Sequence, residues 1–170
     1  MDLGHSNYYN LQAPRNQLHY LVGDVEDSVD NLIHLIKLSV GTESVESLAE
    51  WHRTKRAQTG DGLPRHVTRM WPKREADLLN GGSIYWVIKG FIQCRQRILR
   101  LDEVTREDGT RFCAIVLDPE LHRTTNARRR PFQGWRYLNP DDAPKDLPKG
   151  NTNADLPPEL MASLADIGVR

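Results

Sequence analysis

At 170 residues, the chain is long enough for one domain that buries a core without disulfides or a metal. It has no apolar run near the roughly 20 residues that span a bilayer, and its first residues lack the features of a signal peptide, so we expect a soluble cytoplasmic protein. The formal net charge is zero. However, residues 31–140 carry 19 Lys and Arg against 12 Asp and Glu, whereas residues 1–30 carry 1 against 5 and residues 141–170 carry 3 against 6. This basic centre suits a polyanionic partner.

These charges and the local patterns divide the chain into three regions. Residues 1–30 show no sustained periodicity and are predicted to be an N-terminal extension. Residues 31–140 form a single basic core domain. Residues 141–170 form an acidic, Pro-rich tail with a short helix near its end, at 156–168.

The first core elements are a strand and a helix. Residues 32–40 are apolar on both parities, which is typical of a central strand. Thr42 or Ser44 can cap the following helix, and Glu43 and Glu46 favour its positive end. Its apolar face has the spacing i, i+3, i+4, i+7, formed by Val45, Leu48, Ala49 and His52. Residues 54–64 are predicted to be a polar loop.

The next segment, residues 66–71, is predicted to be a strand, and Pro72 suits the first position of a helix that continues through residues 73–79. Residues 80–82, Asn-Gly-Gly, end that helix. Residues 83–101 are predicted to be strands broken at Gly90. One parity is apolar and should face the core, at Ile84, Trp86, Ile88, Ile92, Cys94 and Ile98. The other parity forms a basic face with aromatic residues, at Tyr85, Lys89, Phe91, Gln93, Arg95 and Arg97.

The firmest local signal is Asp108-Gly109, which predicts a β-hairpin that leads into a buried strand at residues 112–118. Together these elements predict an α+β fold with a small mixed or antiparallel barrel-like sheet and two or three flanking helices.

Residues 128–138, RRRPFQGWRYL, have the composition of a nucleic-acid-binding surface. Guanidinium groups pair with phosphates, and exposed aromatic faces stack on bases. The alternative is a solvated arginine turn with Trp135 and Tyr137 packed on the core. Residues 65–74 bring further cations to a helix start, where free backbone amides also favour a phosphate. There, too, packing of His66 and Trp71 is the alternative.

No catalytic or metal motif is recognisable. The six histidines have no metal-ligand spacing, and Asp118 and Glu120 flank Pro119 in the manner of a turn cap, although an acid/base pair is the alternative. Cys94 and Cys113 lie in apolar runs and are predicted to be reduced core residues. We therefore expect no cofactor, no metal and no catalytic residue.

Several segments, in one order, resemble a known family over residues 32–147. They are HLIKLSVG (34–41), HVTRMWPKR (66–74), GGSIYWVIKG (81–90), CRQRIL (94–99), IVLDPEL (115–121) and RRPFQGWRYL (129–138). The family is the alphaproteobacterial domain of unknown function 1489, which implies no activity. Its members usually begin near the equivalent of Leu32, so residues 1–30 depart from its pattern.

The order of elements also resembles the small β-barrels of the PUA, ASCH and EVE superfamily. This resemblance implies RNA or modified-base binding in a basic cleft. The cleft residues that it implies are Arg69, Trp71, Lys89, Arg95, Arg97, Trp135 and Arg136.

The leading hypothesis is a PUA-like domain that binds RNA or DNA in a basic, aromatic-lined groove. Its predicted binding residues are Arg69, Trp71, Lys73, Arg74, Lys89, Arg95, Arg97, Arg129, Arg130, Trp135, Arg136 and Tyr137. One alternative is a small enzyme for a nucleotide or phosphorylated ligand that uses Asp118, Glu120 or His66. Another is a module that binds an acidic protein.

Overall fold

The computed structural model describes residues 31–148, and the fold is given for that range. Two helices and seven strands occur there, followed by a 3-10 helix at Pro140–Asp142. In chain order they are β1 (His34–Leu38), α1 (Val45–Arg56), β2 (Arg65–Thr68), α2 (Glu75–Leu79), β3 (Ser83–Ile88), β4 (Phe91–Thr105), β5 (Arg111–Leu117), β6 (His122–Arg128) and β7 (Trp135–Leu138). The predicted helix at 156–168 lies outside the described residues.

The strands form one mixed sheet in the order β2-β5-β4-β3-β1-β7. β1 pairs with β3 in parallel, and the other pairs are antiparallel. β4 is long enough to pair with β3 and β6 through its first half and with β5 through its second half. This shared strand lets the sheet curl into a half-barrel with two helices, which confirms the predicted α+β class in its general form.

The inner face of the half-barrel carries the main core. The predicted apolar parity is confirmed for Ile84, Trp86, Ile88, Cys94 and Ile98, which belong to one buried cluster. Ile92 instead belongs to a second cluster on the outer face, because the pairing shifts register between Trp86 and Val87 and between Ile92 and Cys94.

That outer face corrects the prediction of an exposed basic surface with aromatic residues. Tyr85 and Phe91 are only 5% and 7% exposed. Tyr85 packs in the second cluster with Ile36 and Leu138, and Phe132 lies against that cluster. Aromatic side chains on the outer face of β3 and β4 are therefore core residues, since the chain after β6 returns to cover them.

Side chains of β7, at one end of the described sheet, contact the segment that follows β2, the strand at the other end. The indole Nε1 of Trp135 donates to the carbonyl oxygen of Met70 at 3.1 Å, and the hydroxyl oxygen of Tyr137 accepts from the backbone amide of Arg74 at 3.1 Å. We call this contact between residues 69–74 and β7 the seam. It closes the curled sheet where no backbone ladder does so within residues 31–148.

The seam also explains why one helix begins later than predicted. Pro72 was expected at the first helical position, but α2 begins at Glu75, with Arg74 as its N-cap. The carbonyl of Met70 and the amide of Arg74 are engaged by side chains of β7, so the intervening residues stay outside the helix. By contrast, α1 begins as predicted, since Ser44 caps it in a reciprocal arrangement with Ser47.

The hairpin at Asp108-Gly109 is confirmed. Gly109 has a φ of 76°, the amide of Arg106 donates to the carbonyl of Thr110, and the amide of Thr110 donates to the Asp108 carboxylate. β5, which follows, is buried from Phe112 to Leu117. β6 was not predicted, because its residues, HRTTNAR, lack an apolar alternation.

The packed chain continues past residue 140, where the acidic tail was predicted to begin. The amide of Thr125 donates to the carbonyl of Lys145, and the amide of Leu147 donates to the carbonyl of Arg123. Asp146, in this segment, forms a bidentate ion pair with Arg95 at 2.7 and 2.5 Å. This segment therefore covers the free edge of β6.

Replacing Asp146 with Asn is expected to lower the free energy of unfolding by about 1 kcal/mol, because a bidentate, partly shielded arginine pair stabilises more than an isolated surface pair. Urea denaturation of the full chain measures the change. Asp141→Asn is the matched control, since Asp141 is exposed and has no ion pair among the described residues. Equal loss in both variants would contradict a stabilising role for the pair.

Candidate functional site

The structure distributes the twelve predicted binding residues over three places. Six lie at the seam: Arg69, Trp71, Lys73, Arg74, Trp135 and Tyr137. Four lie at the end of the sheet where β3 and β6 finish and β4 and β7 begin, which we call the basic end: Lys89, Arg129, Arg130 and Arg136. Arg95 and Arg97 lie on the outer face of β4.

At the seam, two segments that the sequence singled out separately are brought into contact. The Arg74 guanidinium lies 5.8 Å from the centre of the Tyr137 ring and pairs with Asp77 at 2.6 Å. Tyr137 and Trp71 are each 37% exposed, so part of each ring reaches solvent, whereas Trp135 is only 5% exposed. Trp135 is therefore packed on the core, which was the alternative that the sequence left open for it. Any stacking on a base would fall to Trp71 and Tyr137.

The basic end is held in place by backbone contacts around the β3–β4 turn. The Arg129 amide donates to the Gly90 carbonyl at 2.7 Å, and its guanidinium donates to the carbonyl of Asp142 at 3.2 Å. The Arg136 guanidinium lies 5.0 Å from the centre of the Phe132 ring. Lys89 is paired with Glu43 at 2.5 Å, and Arg130 is exposed.

The outer-face residues are separate from the seam. The register places Arg136 of the basic end on the same face as Arg95, in one row through Ile36 and Tyr85. Arg95 is engaged by Asp146 and also donates to the Ser83 hydroxyl at 3.0 Å, so it stabilises the fold. Arg97 is exposed, opposite Ser83 in the register. The structure therefore does not bring the arginines of β4 and those of the seam onto one face, as the predicted single groove required.

The seam and basic end share an unusual charge distribution. Residues 62–74 and 121–140 contain no Asp or Glu but carry nine Lys and Arg. Three of these cations reach carboxylates elsewhere, at Asp61, Asp77 and Glu46. Six have no ion pair within residues 31–148: Arg69, Lys73, Arg128, Arg129, Arg130 and Arg136.

Sequence reasoning missed a pocket on the inner face, between the end of β1, α1 and β2. Its volume is about 410 Å³, and residues 37–42 form one wall. The remaining lining residues are Leu48, Trp51, His66 and Trp86. Lys37 was a signal that could have indicated it, because it is the one charged residue in a strand that is otherwise apolar on both parities.

Lys37, the one charged residue of the lining, has tryptophans as its partners on both neighbouring strands. In the register, Lys37 is the partner of Trp86 on β3 and of Trp135 on β7. The His66 ring stands at 89° to Trp86, with 6.2 Å between centroids. Burial lowers the pKa of Lys37 below its usual value, and burial together with the nearby Lys37 charge lowers the pKa of His66 to about 4. His66 is therefore neutral at pH 7.

Hydrogen bonds hold the back of the pocket in place. Trp86 Nε1 donates to Oε1 of the buried Gln96 at 2.9 Å, and Gln96 Nε2 donates to the carbonyl of Asp118 at 3.0 Å. Behind Trp86 lies His52, which is 3% exposed and whose two ring nitrogens have no hydrogen-bond partner. Burial lowers the pKa of His52 to about 4, so this ring is also neutral at pH 7.

The residues considered for catalysis are arranged as structural groups. The Asp118 carboxylate accepts from the amide of Glu120 at 2.8 Å, which is the turn cap that the sequence favoured. Cys94 and Cys113 are buried free thiols, and burial raises their pKa to about 12 and about 11, so neither is an activated nucleophile. No group of three or more metal-binding side chains occurs in the described part of the chain.

The fold and site define a small α+β domain with a half-barrel sheet, a basic surface and an inner-face pocket. Residues 35–170 match the model of the family described as Protein of unknown function (DUF1489), and the chain belongs to that family. Comparisons with curated proteins and with solved structures found no match. Within residues 31–148, neither helix has the length and apolar character needed to cross a membrane.

Proposed function

We propose that this domain binds single-stranded nucleic acid across the seam and the basic end, with a PUA-like use of its half-barrel. The observation that carries the proposal is the meeting of two carboxylate-free, arginine-rich segments at the seam, beside exposed Trp71 and Tyr137. Phosphates supply the missing counter-charges, and the two rings supply faces for bases.

A single strand fits this surface better than a duplex does. Exposed rings stack on bases only where the bases are unpaired, and such stacking contributes about 1–3 kcal/mol per base. Two of the three arginines at the basic end contact protein groups, Arg136 the Phe132 ring and Arg129 the carbonyl of Asp142, which limits the motion of their side chains. Such preorganised guanidinium groups are well suited to phosphate.

Replacing Lys73 and Arg136 together with Ala is expected to weaken binding of a short single-stranded oligonucleotide roughly 100-fold, because each charged contact contributes about 1.5 kcal/mol or more. Fluorescence anisotropy of the full chain with labelled RNA and DNA of mixed sequence measures the affinity. Neither residue has an ion pair within residues 31–148, so the double variant breaks none; Arg136 loses only its contact with the Phe132 ring.

The matched control is Lys55→Ala with Arg56→Ala, which removes the same charge from the last turn of α1, where neither cation has an ion pair within residues 31–148. This control should bind within about threefold of the native chain. The proposal would be overturned in favour of general polyanion binding by either of two results. One is an equal loss of affinity in the two double variants; the other is displacement of the oligonucleotide by polyglutamate of equal charge at equal concentration. Absence of binding would overturn it altogether.

A further inference from the structure

We propose that the inner-face pocket binds a small molecule made of a planar aromatic ring and one anionic group. This inference is independent of the nucleic-acid surface, because none of the predicted binding residues lines the pocket. Its lining comes from β1, the loop after β1, α1, β2 and β3. Its volume of about 410 Å³ falls within the range of small-molecule sites.

The requirement for an anion follows from the charges of the lining. Lys37 is the one residue of the lining with a formal charge, since no carboxylate is present and His66 is neutral. Lys37 has no ion pair within residues 31–148 and is partly buried. A half-buried ammonium without a counter-charge favours an anionic ligand, because the ligand restores the electrostatic interactions lost with water.

The requirement for a ring follows from the aromatic side chains of the lining. Trp51 and Trp86 both contribute to the wall, and His66 meets Trp86 edge-on. Trp51 is 45% exposed and Val40 is 88% exposed, so the rim presents apolar surface to solvent without a partner in the described residues. Such surface is typical of a site that buries an apolar body.

The site is formed before any ligand arrives. Gln96 fixes the Trp86 indole, the amide of Ser39 donates to the carbonyl of Val87, and the Thr42 hydroxyl donates to the carbonyl of Ser39. The neutral His66 imidazole has no hydrogen-bond partner among the described residues, so it is available to donate to or accept from a ring substituent. Binding therefore requires little reorganisation.

Isothermal titration calorimetry of the full chain with two matched pairs of compounds tests the proposal. Adenosine 5′-monophosphate is compared with adenosine, and indole-3-acetate with indole-3-acetamide. We expect the anion of at least one pair to bind at least tenfold more tightly than its neutral counterpart. The pair that shows this preference indicates whether the ligand carries a phosphate or a carboxylate. Equal affinities within both pairs, or no binding by any compound, would overturn the proposal.

Variants locate the site. Lys37→Met should abolish the preference for the anion, and Trp51→Ala should weaken both members of a pair about tenfold or more. Because Trp51 is exposed, its variant should fold even if Lys37→Met does not. Lys55→Met and the Lys73→Ala/Arg136→Ala double variant should bind like the native chain. If the Lys73→Ala/Arg136→Ala variant lost binding of the anion while Trp51→Ala kept its affinity, the anion would bind at the nucleic-acid surface, and the proposal would be overturned.

Discussion

Gly82→Ala is expected to destabilise the domain by about 3 kcal/mol or more, the largest effect of any single substitution considered. Gly82 lies where the end of α2, the start of β1 and the strand β4 meet. Its amide donates to the Leu78 carbonyl at 2.8 Å, and its carbonyl accepts from the amide of Ile98 at 2.9 Å. An added Cβ would overlap the Leu78 carbonyl oxygen and would lie 2.6 Å from that of Ile33. Both obstacles are backbone, so no side-chain rotation relieves them.

Thermal and urea unfolding of the full chain measure this effect. Gly60→Ala is the matched control, because a Cβ there meets no atom within 4 Å and the φ of Gly60 is not positive. The control should change the free energy of unfolding by no more than about 0.5 kcal/mol. Comparable stability of the two variants would mean that the packing of α2 against β1 and β4 differs from that described.

The free energy of unfolding is expected to fall as the pH is lowered from about 6.5 to about 4, by on the order of 3 kcal/mol for His52 alone. Burial lowers the pKa of His52 to about 4, and that of His66 likewise, whereas an unfolded histidine titrates near 6.5. In this range the unfolded chain binds protons that the folded chain excludes. The stabilisation is therefore complete above the unfolded pKa and is lost as the pH falls towards the folded pKa.

His52→Leu should flatten this part of the profile while retaining or raising stability at pH 7, because it removes two buried nitrogens that have no hydrogen-bond partner. Urea denaturation at half-unit pH intervals gives both quantities. If the stability of the variant depended on pH as that of the native chain does, His52 would not take up a proton on unfolding in this range. That result would contradict the burial of His52 behind Trp86.

The elements that the sequence predicted are those set by local patterns. The hairpin at Asp108-Gly109 depends on one turn residue with positive φ, and the start of α1 depends on Ser44 and Ser47, three positions apart. Both signals lie within a few residues of the element that they specify. Features that depend on long-range contacts were not predicted. The side chains of β7 delay the start of α2, and residues 145–147 pair with β6.

The candidate site was predicted in part for the same reason. The basic segments at 65–74 and 128–138 were recognised by composition, and the fold brings them together at the seam. Arg95 has the same composition signal, but its partner Asp146 is 51 positions away and was assigned to a separate tail. The pocket depends on Lys37, Trp51, His66 and Trp86, from four elements. Strand pairing makes Lys37 and Trp86 neighbours, and the tertiary fold brings Trp51 and His66 to them.

The most direct test of nucleic-acid binding at the seam and basic end is the salt dependence of oligonucleotide affinity, measured by anisotropy with the full chain. If about four phosphates contact this surface, the affinity should fall about 50-fold between 50 and 200 mM salt, because each contact releases condensed counterions. The Lys73→Ala/Arg136→Ala variant should show a shallower dependence. Binding that is insensitive to salt, or equally steep in that variant, would contradict the assignment of these cations to phosphate.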